Sequence, residues 1–271
     1  MNLIEAIIYG LIQGLTEFLP VSSSGHITLL GRLFDTDPEV MYTLSTWLHM
    51  GTLIAVFVVM RREILAILRD IFGPKTWQII IATIPAVVAA LLLGDWLDDL
   101  FGGRFLGVSF LITGIFLMTI LLVRRERDLD EVPAAGEREI GWKQALIAGI
   151  GQAIAILPGV SRSGSTLTAL LLSRVNRKKA IRFSFLMSIP AIAGGFVLDL
   201  KEMISGDGAA IEALGLGNLL FGVLAAGVAG WLAMEWMLRR LNRRGLLACA
   251  IYVFVLGSLV IVDQQVTNFF F

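Results

Sequence analysis

The chain has 271 residues, of which 56% are hydrophobic and only 16% are charged, and its mean hydropathy is +0.81. These values exceed what a soluble core needs and place the chain among integral membrane proteins. The 22 basic and 22 acidic residues give a formal net charge of zero, so the composition offers no basic surface for a nucleic-acid partner. The single cysteine, Cys249, excludes an internal disulfide.

In chain order, six apolar runs are long enough to cross a bilayer, whose hydrocarbon core needs about 20 residues per helix. They cover residues 40–60, 77–94, 105–123, 180–198, 214–238 and 246–262. Two further stretches, about 3–31 and 143–173, are apolar but are interrupted by Pro, Gly and Ser near the middle. The sequence therefore predicts an all-α polytopic membrane protein with about six full transmembrane helices and two interrupted elements.

The positions of Arg and Lys assign the sides of the membrane, because short loops rich in these residues stay cytoplasmic. Basic loops begin at Arg61, Arg124, Arg174 and Arg239, whereas acid-rich loops begin at Gly94 and Asp199. With the basic loops inside, stretch 143–173 must enter the membrane and return to the same side, as a re-entrant helical hairpin. Stretch 3–31 would be a second re-entrant hairpin that enters from outside, and both termini are then predicted to be external.

The two interrupted stretches also resemble each other in sequence. A shift of 139 residues, from Ala6 to Ala145, aligns Ala6–Gly25 with Ala145–Gly164 without a gap, and 8 of the 20 positions are identical. Several of the identical residues are Gln, Gly or Ser, which a shared apolar composition explains poorly. We predict an inverted-topology repeat in a single membrane domain, with halves at 1–127 and 143–271 and a cytoplasmic linker at 128–142. Such folds place their site near the bilayer midplane, where the broken elements meet.

The middle of the second stretch groups hydroxyl, glycine and arginine residues, namely Ser161, Arg162, Ser163, Gly164 and Thr166. An arginine at bilayer depth costs about 2.5 to 3.5 kcal/mol by insertion scales and marks a functional site by default. Guanidinium groups and helix N-termini both bind phosphate oxygens, so this region is a candidate anion site. Two structural alternatives stay open: an ion pair between Arg162 and Glu17, and serines that only cap broken helices.

The middle of the first stretch carries groups that attack or move protons: Gln13, Glu17, Ser22, Ser23, Ser24, Gly25 and His26. Gln13 and Glu17 are four residues apart and so share one helix face. His26 can act as acid, base or nucleophile, and a nearby carboxylate can orient it or remove a proton. A capping or packing role for His26 is the alternative. His49, within an apolar run, either lines the same cavity or is a packed polar residue.

Two motifs, QGLTEFLPVSSSGH at Gln13–His26 and LPGVSRSGST at Leu157–Thr166, resemble those of the undecaprenyl-diphosphate phosphatases. These are bacterial membrane enzymes whose overproduction confers bacitracin resistance, and the resemblance covers essentially the whole chain. It implies hydrolysis of undecaprenyl diphosphate to the monophosphate, which recycles the lipid carrier for cell-wall synthesis. It also implies a location in the bacterial plasma membrane and a site open to the external leaflet, although the repeat itself leaves the open side undecided.

Mapped onto this chain, the resemblance implies that Glu17, Ser23, His26 and Arg162 are catalytic. Polar residues and glycines of both stretches would bind the diphosphate: Gln13, Ser22, Ser24, Gly25, Ser161, Ser163, Gly164 and Thr166. Either Ser23 or His26 could attack phosphorus, and we favour Ser23 activated by Glu17 and His26. A divalent cation, Mg²⁺ or Ca²⁺, is a candidate cofactor, with Glu17 and Gln13 as candidate ligands. Many family members carry glutamate where this chain has Gln13, and this difference weakens the case for a metal ligand at that position.

The competing function is a transporter or flippase of polyprenyl phosphate, since inverted repeats with re-entrant hairpins are a transporter architecture. A carrier needs an anion site but has no need of a glutamate, serine and histidine cluster opposite it, which favours the phosphatase. The expected partners are a polyprenyl diphosphate and membrane lipid. A homodimer, the preferred lipid chain length and an additional flippase activity are left open.

Overall fold

A computed structural model of the chain describes residues 1–100, 103, 105–123, 139–205 and 213–269, without the side chains of 94–100, 199 and 201–205. The first half contains α1 (Leu3–Phe18), α2 (Ser23–Leu33), α3 (Pro38–Val59), α4 (Arg61–Arg69), α5 (Pro74–Leu100) and α6 (Leu106–Val123). The second contains α7 (Trp142–Ile154), α8 (Arg162–Leu172), α9 (Arg177–Ser205), α10 (Leu216–Arg240) and α11 (Arg243–Val262), followed by a π-helical turn at Asp263–Thr267. Within these described ranges there is no β-strand, which confirms the all-α prediction.

Six segments are long and apolar enough to cross a membrane, and each overlaps one of the predicted runs. They are Pro38–Val59, Pro74–Leu93, Leu106–Val123, Arg177–Leu198, Leu216–Arg240 and Arg243–Thr267. Most begin a few residues earlier than the apolar pattern indicates, because helix ends are set by capping groups rather than by hydropathy. The Asp37 carboxylate, for example, accepts a hydrogen bond from the Glu39 N–H at 2.9 Å and starts α3 before its apolar part.

The outer surfaces of these long helices expose large apolar side chains. Leu91 is 80% exposed and Leu122 is 81% exposed. Apolar surface of this extent would be unfavourable in water and is expected where helices face lipid tails. Together with the six candidate spans, it identifies a multi-pass membrane protein.

The two interrupted stretches each form a pair of helices joined by a turn, α1 with α2 and α7 with α8. Helix α1 packs against α10, and α7 packs against α5, so each pair is held by a helix of the other half of the chain. Glycines allow both approaches. A Cβ atom on Gly10 would lie 2.2 Å from the Gly222 carbonyl oxygen, and one on Gly149 would lie 2.5 Å from the Ala82 carbonyl oxygen.

Basic segments from different parts of the chain meet at one end of the bundle. Arg182 of α9 forms an ion pair with Glu63 of α4, and Arg177 donates a hydrogen bond to the Leu241 carbonyl oxygen between α10 and α11. The loops that begin at Arg61, Arg174 and Arg239 are therefore neighbours. Residues 128–138 of the predicted linker, the basic loop from Arg124 and parts of the acidic loops from Gly94 and Asp199 lie outside the described residues.

Candidate active site

The first turn, residues 19–22 between α1 and α2, is organised by Ser22. Its Oγ accepts a hydrogen bond from the Gly25 N–H at 3.3 Å and so caps α2. Its carbonyl oxygen accepts one from Nδ1 of His26 at 2.6 Å. The backbone of Ser22 has φ of 73°, a value that non-glycine residues rarely adopt and that is often found at functional sites. This turn presents the next residue, Ser23, to Glu17.

The second turn, residues 155–161 between α7 and α8, is organised by Ser161. Its Oγ accepts a hydrogen bond from the Gly164 N–H at 3.0 Å and caps α8, while its own N–H donates to Thr113 Oγ1 of α6 at 3.0 Å. The next residue, Arg162, is thereby directed toward α1. The Ser161 hydroxyl, like that of Ser22, is used to start a helix.

The two turns touch each other directly. The Gly159 N–H donates to Ser24 Oγ at 3.3 Å, and Ser163 Oγ donates to the Leu19 carbonyl oxygen at 2.9 Å. These bonds join segments more than 130 residues apart in the chain, 135 and 144 respectively. Because each turn uses polar groups of the other, the turns form one site rather than two separate ones.

Glu17 lies where the turns meet and is only 6% exposed. Its Oε1 accepts a charge-assisted hydrogen bond from Nη2 of Arg162. Its Oε2 accepts from Ser23 Oγ at 2.5 Å and from Gln13 Nε2 at 3.0 Å, which confirms the shared helix face of Gln13 and Glu17. An unpaired buried carboxylate would cost several kcal/mol, so the pairing with Arg162 stabilises the negative charge of Glu17.

A cavity of about 230 Å³ opens onto these groups. One part of its lining is polar, contributed by Glu17, Ser22, Ser23, Ser24, His49, Ser161 and Arg162. The other part is mainly apolar, contributed by Ala155, Ile156, Leu157, Pro158, Val160, Ala191 and Ile192. The cavity therefore has room for a small charged group beside the hydroxyls and the guanidinium, with apolar surface next to it.

Arg162 forms an ion pair with Glu17 and also has a hydrogen-bond donor without a partner among the described residues. Its Nη1 is buried and has no hydrogen-bond partner within the described part of the chain. Leaving a buried donor unpaired costs about 1–3 kcal/mol, so Nη1 is a candidate donor for a bound anion. The ion pair with Glu17, which the sequence left open as a structural role for Arg162, is present. The unpaired Nη1 also leaves a donor of the kind that an anion site requires.

His26 is not brought to Glu17. With Nδ1 bound to the Ser22 carbonyl oxygen, its Nε2 accepts from the Tyr252 hydroxyl of α11 at 2.6 Å. The imidazole stacks on the Tyr252 ring at 5.6 Å between centroids and meets the Phe110 ring edge-on at 5.5 Å. His26 does not line the cavity. The expected orientation of His26 by Glu17 is therefore not found, because α2 turns this side chain toward α6 and α11.

The other predicted binding residues divide into two groups. Ser22, Ser24 and Ser161 line the cavity, whereas Gln13, Gly25, Ser163, Gly164 and Thr166 do not. Gly25 is required for packing, since a Cβ atom there would lie 2.6 Å from the Phe110 ring. Thr166 is buried behind the turn, where its hydroxyl lies 2.6 Å from that of Ser184. Direct substrate contact by the second group stays a prediction.

His49, for which the sequence left two roles open, lines the cavity. Its Nε2 lies 3.6 Å from Glu17 Oε2, and its Nδ1 lies 2.7 Å from the Ser45 carbonyl oxygen. The available sequence signal was a lone histidine within an apolar span, since ionisable residues there usually face a polar cavity. The sequence did not indicate that His49, and not His26, lies beside Glu17.

Gln13 and Glu17 do not by themselves form a ligand set for a divalent cation. Both carboxylate oxygens of Glu17 already accept hydrogen bonds, and Gln13 directs its Nε2 donor toward Glu17. Within the described ranges there is no group of three or more His, Cys, Asp or Glu side chains able to hold a metal ion. Mg²⁺ and Ca²⁺ need about six or more oxygen ligands, which these two side chains cannot supply alone.

Comparison with known proteins gives consistent full-length matches. Residues 6–259 match the model of the family described as "Bacitracin resistance protein BacA". Undecaprenyl-diphosphatase 4 of Bacillus thuringiensis (strain Al Hakam) is 39% identical over 272 residues, which cover 100% of both chains. Undecaprenyl-diphosphatase of Carboxydothermus hydrogenoformans is 37% identical over 99% of this chain and 100% of its own. Undecaprenyl-diphosphatase of Methanobrevibacter smithii is 35% identical over 100% of both chains.

Proposed function

This chain belongs to the bacitracin resistance protein BacA family, and we propose that it is a membrane phosphatase that converts undecaprenyl diphosphate to undecaprenyl phosphate and inorganic phosphate. The proposal is supported by full-length relatives that are named undecaprenyl-diphosphatase. By releasing the monophosphate carrier for cell-wall synthesis, such an enzyme would confer bacitracin resistance.

One contact carries the proposal, the hydrogen bond of 2.5 Å from Ser23 Oγ to Glu17 Oε2. A hydroxyl becomes a nucleophile when an adjacent base removes its proton, and Glu17 is that base. Of the two candidate nucleophiles, Ser23 lines the cavity, whereas both ring nitrogens of His26 are engaged outside it. These positions favour Ser23.

The chemistry proceeds in two displacements at the terminal phosphorus. Ser23 Oγ forms a bond to phosphorus as its proton passes to Glu17, and the bond from phosphorus to the bridging oxygen breaks. Undecaprenyl phosphate leaves with that electron pair. Water then attacks the phosphoserine, inorganic phosphate departs, and Ser23 Oγ regains a proton. Arg162 binds the non-bridging oxygens, whose charge grows in the transition state, through donors such as its unpaired Nη1.

The cavity also suits an amphiphilic substrate. Its polar side would receive the diphosphate, with Ser22, Ser24 and Ser161 as additional donors, and its apolar side would contact the first part of the polyprenyl chain. A divalent cation, if the reaction uses one, would be held mainly by the diphosphate oxygens, with Glu17 as at most one protein ligand. Mg²⁺ commonly binds to proteins in this way, through one or two carboxylates and substrate phosphates.

We further propose that the chain is an inverted repeat with two re-entrant hairpins, α1–α2 and α7–α8, in a bacterial plasma membrane with both termini external. Support comes from the reciprocal packing of α1 on α10 and α7 on α5, in which each hairpin contacts the other half. The contacts among three basic loops at one end support a single cytoplasmic face. A cytoplasm-only reporter should be silent after Phe271 and active near Arg125; the opposite result would overturn this topology.

The decisive test of function is phosphate release from a polyprenyl diphosphate by the purified protein in detergent, where transport cannot occur. Parallel assays with EDTA, Mg²⁺ and Ca²⁺ would test the cation, and Ser23→Ala would be the inactive control. Release that depends on Ser23 supports the phosphatase. No release under any cation condition would favour a polyprenyl phosphate carrier, for which the contact between Ser23 and Glu17 has no role. Mass measurement of the purified protein in the same detergent would show whether it is a monomer or a homodimer.

A further inference from the structure

We propose that His49 takes up the proton that Glu17 removes from Ser23. This inference rests on the proposed phosphatase function and adds a residue to it. It assigns to α3 a group that the two motifs on α1–α2 and α7–α8 do not contain.

The hydrogen bonding of His49 leaves one ring nitrogen available to the site. A backbone carbonyl oxygen only accepts, so the contact of 2.7 Å between Nδ1 and the Ser45 carbonyl oxygen places a hydrogen on Nδ1. In the neutral ring Nε2 then carries the lone pair. That atom lies 3.6 Å from Glu17 Oε2, the oxygen that accepts the Ser23 hydroxyl, and a small side-chain rotation would bring it into hydrogen-bond range.

His26 provides the contrast within the same chain. Its Nδ1 also donates to a carbonyl oxygen four residues earlier, but its Nε2 accepts from the Tyr252 hydroxyl. Both nitrogens are therefore occupied, and the ring is held between Tyr252 and Phe110. His49 is the one of the two histidines whose second nitrogen faces the cavity.

The surroundings of His49 leave few other groups to hold this proton. The charged residues that line the cavity are Glu17 of α1 and Arg162 of α8. Among the described side chains of α9, only Ala191 and Ile192 line the cavity, and α10, which packs along α3, has no charged residue between 216 and 234. The Arg162 guanidinium carries N–H donors and no acceptor, so it does not take up a proton. His49 is therefore the available proton acceptor beside Glu17.

The proton balance is complete within the proposed cycle. In the first displacement the Ser23 proton moves to Glu17 Oε2 and on to His49 Nε2, while undecaprenyl phosphate leaves. In the second, Glu17 takes one proton of the attacking water while His49 Nε2 still holds the first. Ser23 Oγ regains a proton from Glu17 as the phosphoserine bond breaks, and the proton on His49 is released with inorganic phosphate.

The test is a comparison of His49→Gln with Ser188→Ala in full-length protein purified in detergent. Ser188 occupies the position equivalent to His49 in the second half, 139 residues later, but it does not line the cavity. We expect His49→Gln to lower kcat about a hundredfold, with KM within about twofold, because a proton acceptor is lost but no anion donor is. Ser188→Ala should leave both kcat and KM close to the wild-type values.

A second variant separates a proton role from packing. In His49→Ala, added imidazole should restore part of kcat, which a purely structural histidine would not allow. An unchanged kcat in His49→Gln or no imidazole rescue in His49→Ala would overturn the proposal, as would loss of folding in both variants. If the wild-type protein releases no phosphate, the proposed function itself fails; if it does and His49→Gln matches it, only the assignment of His49 fails.

Discussion

The turn between α1 and α2 and the turn between α7 and α8 share one scaffold and differ in chemistry. Ser22 and Ser161 occupy equivalent positions, and each caps a helix through the N–H three residues later, at 3.3 and 3.0 Å. The residue after the cap enters the cavity in both turns, but it is Ser23 in the first and Arg162 in the second. The residue equivalent to Glu17 is Ile156, which lines the cavity as an apolar group.

This difference shows how a repeated element can produce an asymmetric site. The caps determine where the next side chain points, and they are retained in both turns. The side chains that follow the two caps differ, so the Ser23 hydroxyl and the Arg162 guanidinium bind the two carboxylate oxygens of Glu17. The turns also differ in strain, since φ is 73° at Ser22 and −71° at Ser161.

Removing the nucleophile should have the largest effect. Ser23→Ala leaves the caps intact but removes the only hydroxyl in contact with Glu17 among the described residues, so we expect phosphate release to fall at least about a thousandfold. Ser24→Ala, which loses its contact with the Gly159 N–H, should cost far less activity. Three equal and mild losses for Ser22, Ser23 and Ser24 would instead indicate that all three serines only cap the turn.

Replacing Arg162, the charged residue that follows the second turn, should have the next largest effect. Arg162→Lys keeps the charge but loses the planar pair of donors, so the activation barrier should rise by about 2.7 to 4 kcal/mol, as for loss of an oxyanion donor. The melting temperature should change little, because lysine can still pair with Glu17. Initial rates of phosphate release and melting curves measure the two quantities.

A double substitution tests whether Arg162 only neutralises Glu17. If that were its sole role, Arg162→Leu combined with Glu17→Gln would recover the stability lost in each single variant. We expect the double variant to be inactive and not to recover that stability, and a recovered melting temperature would contradict the anion-binding role. A fully active Arg162→Lys protein would contradict the anion-binding role.

Equivalent glycines of the two hairpins test their reciprocal packing. Gly10→Ala and Gly149→Ala would each place a Cβ atom within 2.5 Å of a backbone oxygen on the helix that holds the hairpin. We expect each substitution to cost about 1–3 kcal/mol of stability through overpacking. Gly194→Ala in α9 is the matched control, since its Cβ would have no atom within 4 Å. Similar melting temperatures for all three variants would argue against tight packing of both hairpins.

The two caps should give the smallest and most equal effects. Ser22→Ala and Ser161→Ala each remove one capping hydrogen bond, so each should cost about 1 kcal/mol of stability. Substitution by glycine should affect the two positions differently. Ser22→Gly relieves the strain of the positive φ and should lower the melting temperature less than Ser161→Gly. Melting temperatures of the four variants test this, and a larger loss in Ser22→Gly would contradict the assigned strain.

The sequence alone determined the parts of this protein that depend on local physics. Crossing a bilayer requires a minimum length of apolar helix, so the six spans could be located from hydropathy, and the structure agrees with them. Capping is also local, so the serines at the breaks could be expected to start new helices. Four-residue spacing on a helix was enough to place Gln13 beside Glu17.

Only the tertiary structure decided which distant groups face each other. Arg162 is 145 residues from Glu17, and either an anion site or an ion pair was consistent with its sequence. His26 is near Glu17 in the chain, yet it binds Tyr252, which is 226 residues away, whereas His49 of another helix lies beside the carboxylate. The direction of a side chain depends on how each helix is rotated by its neighbours, and that rotation follows from packing among segments that the local pattern does not relate.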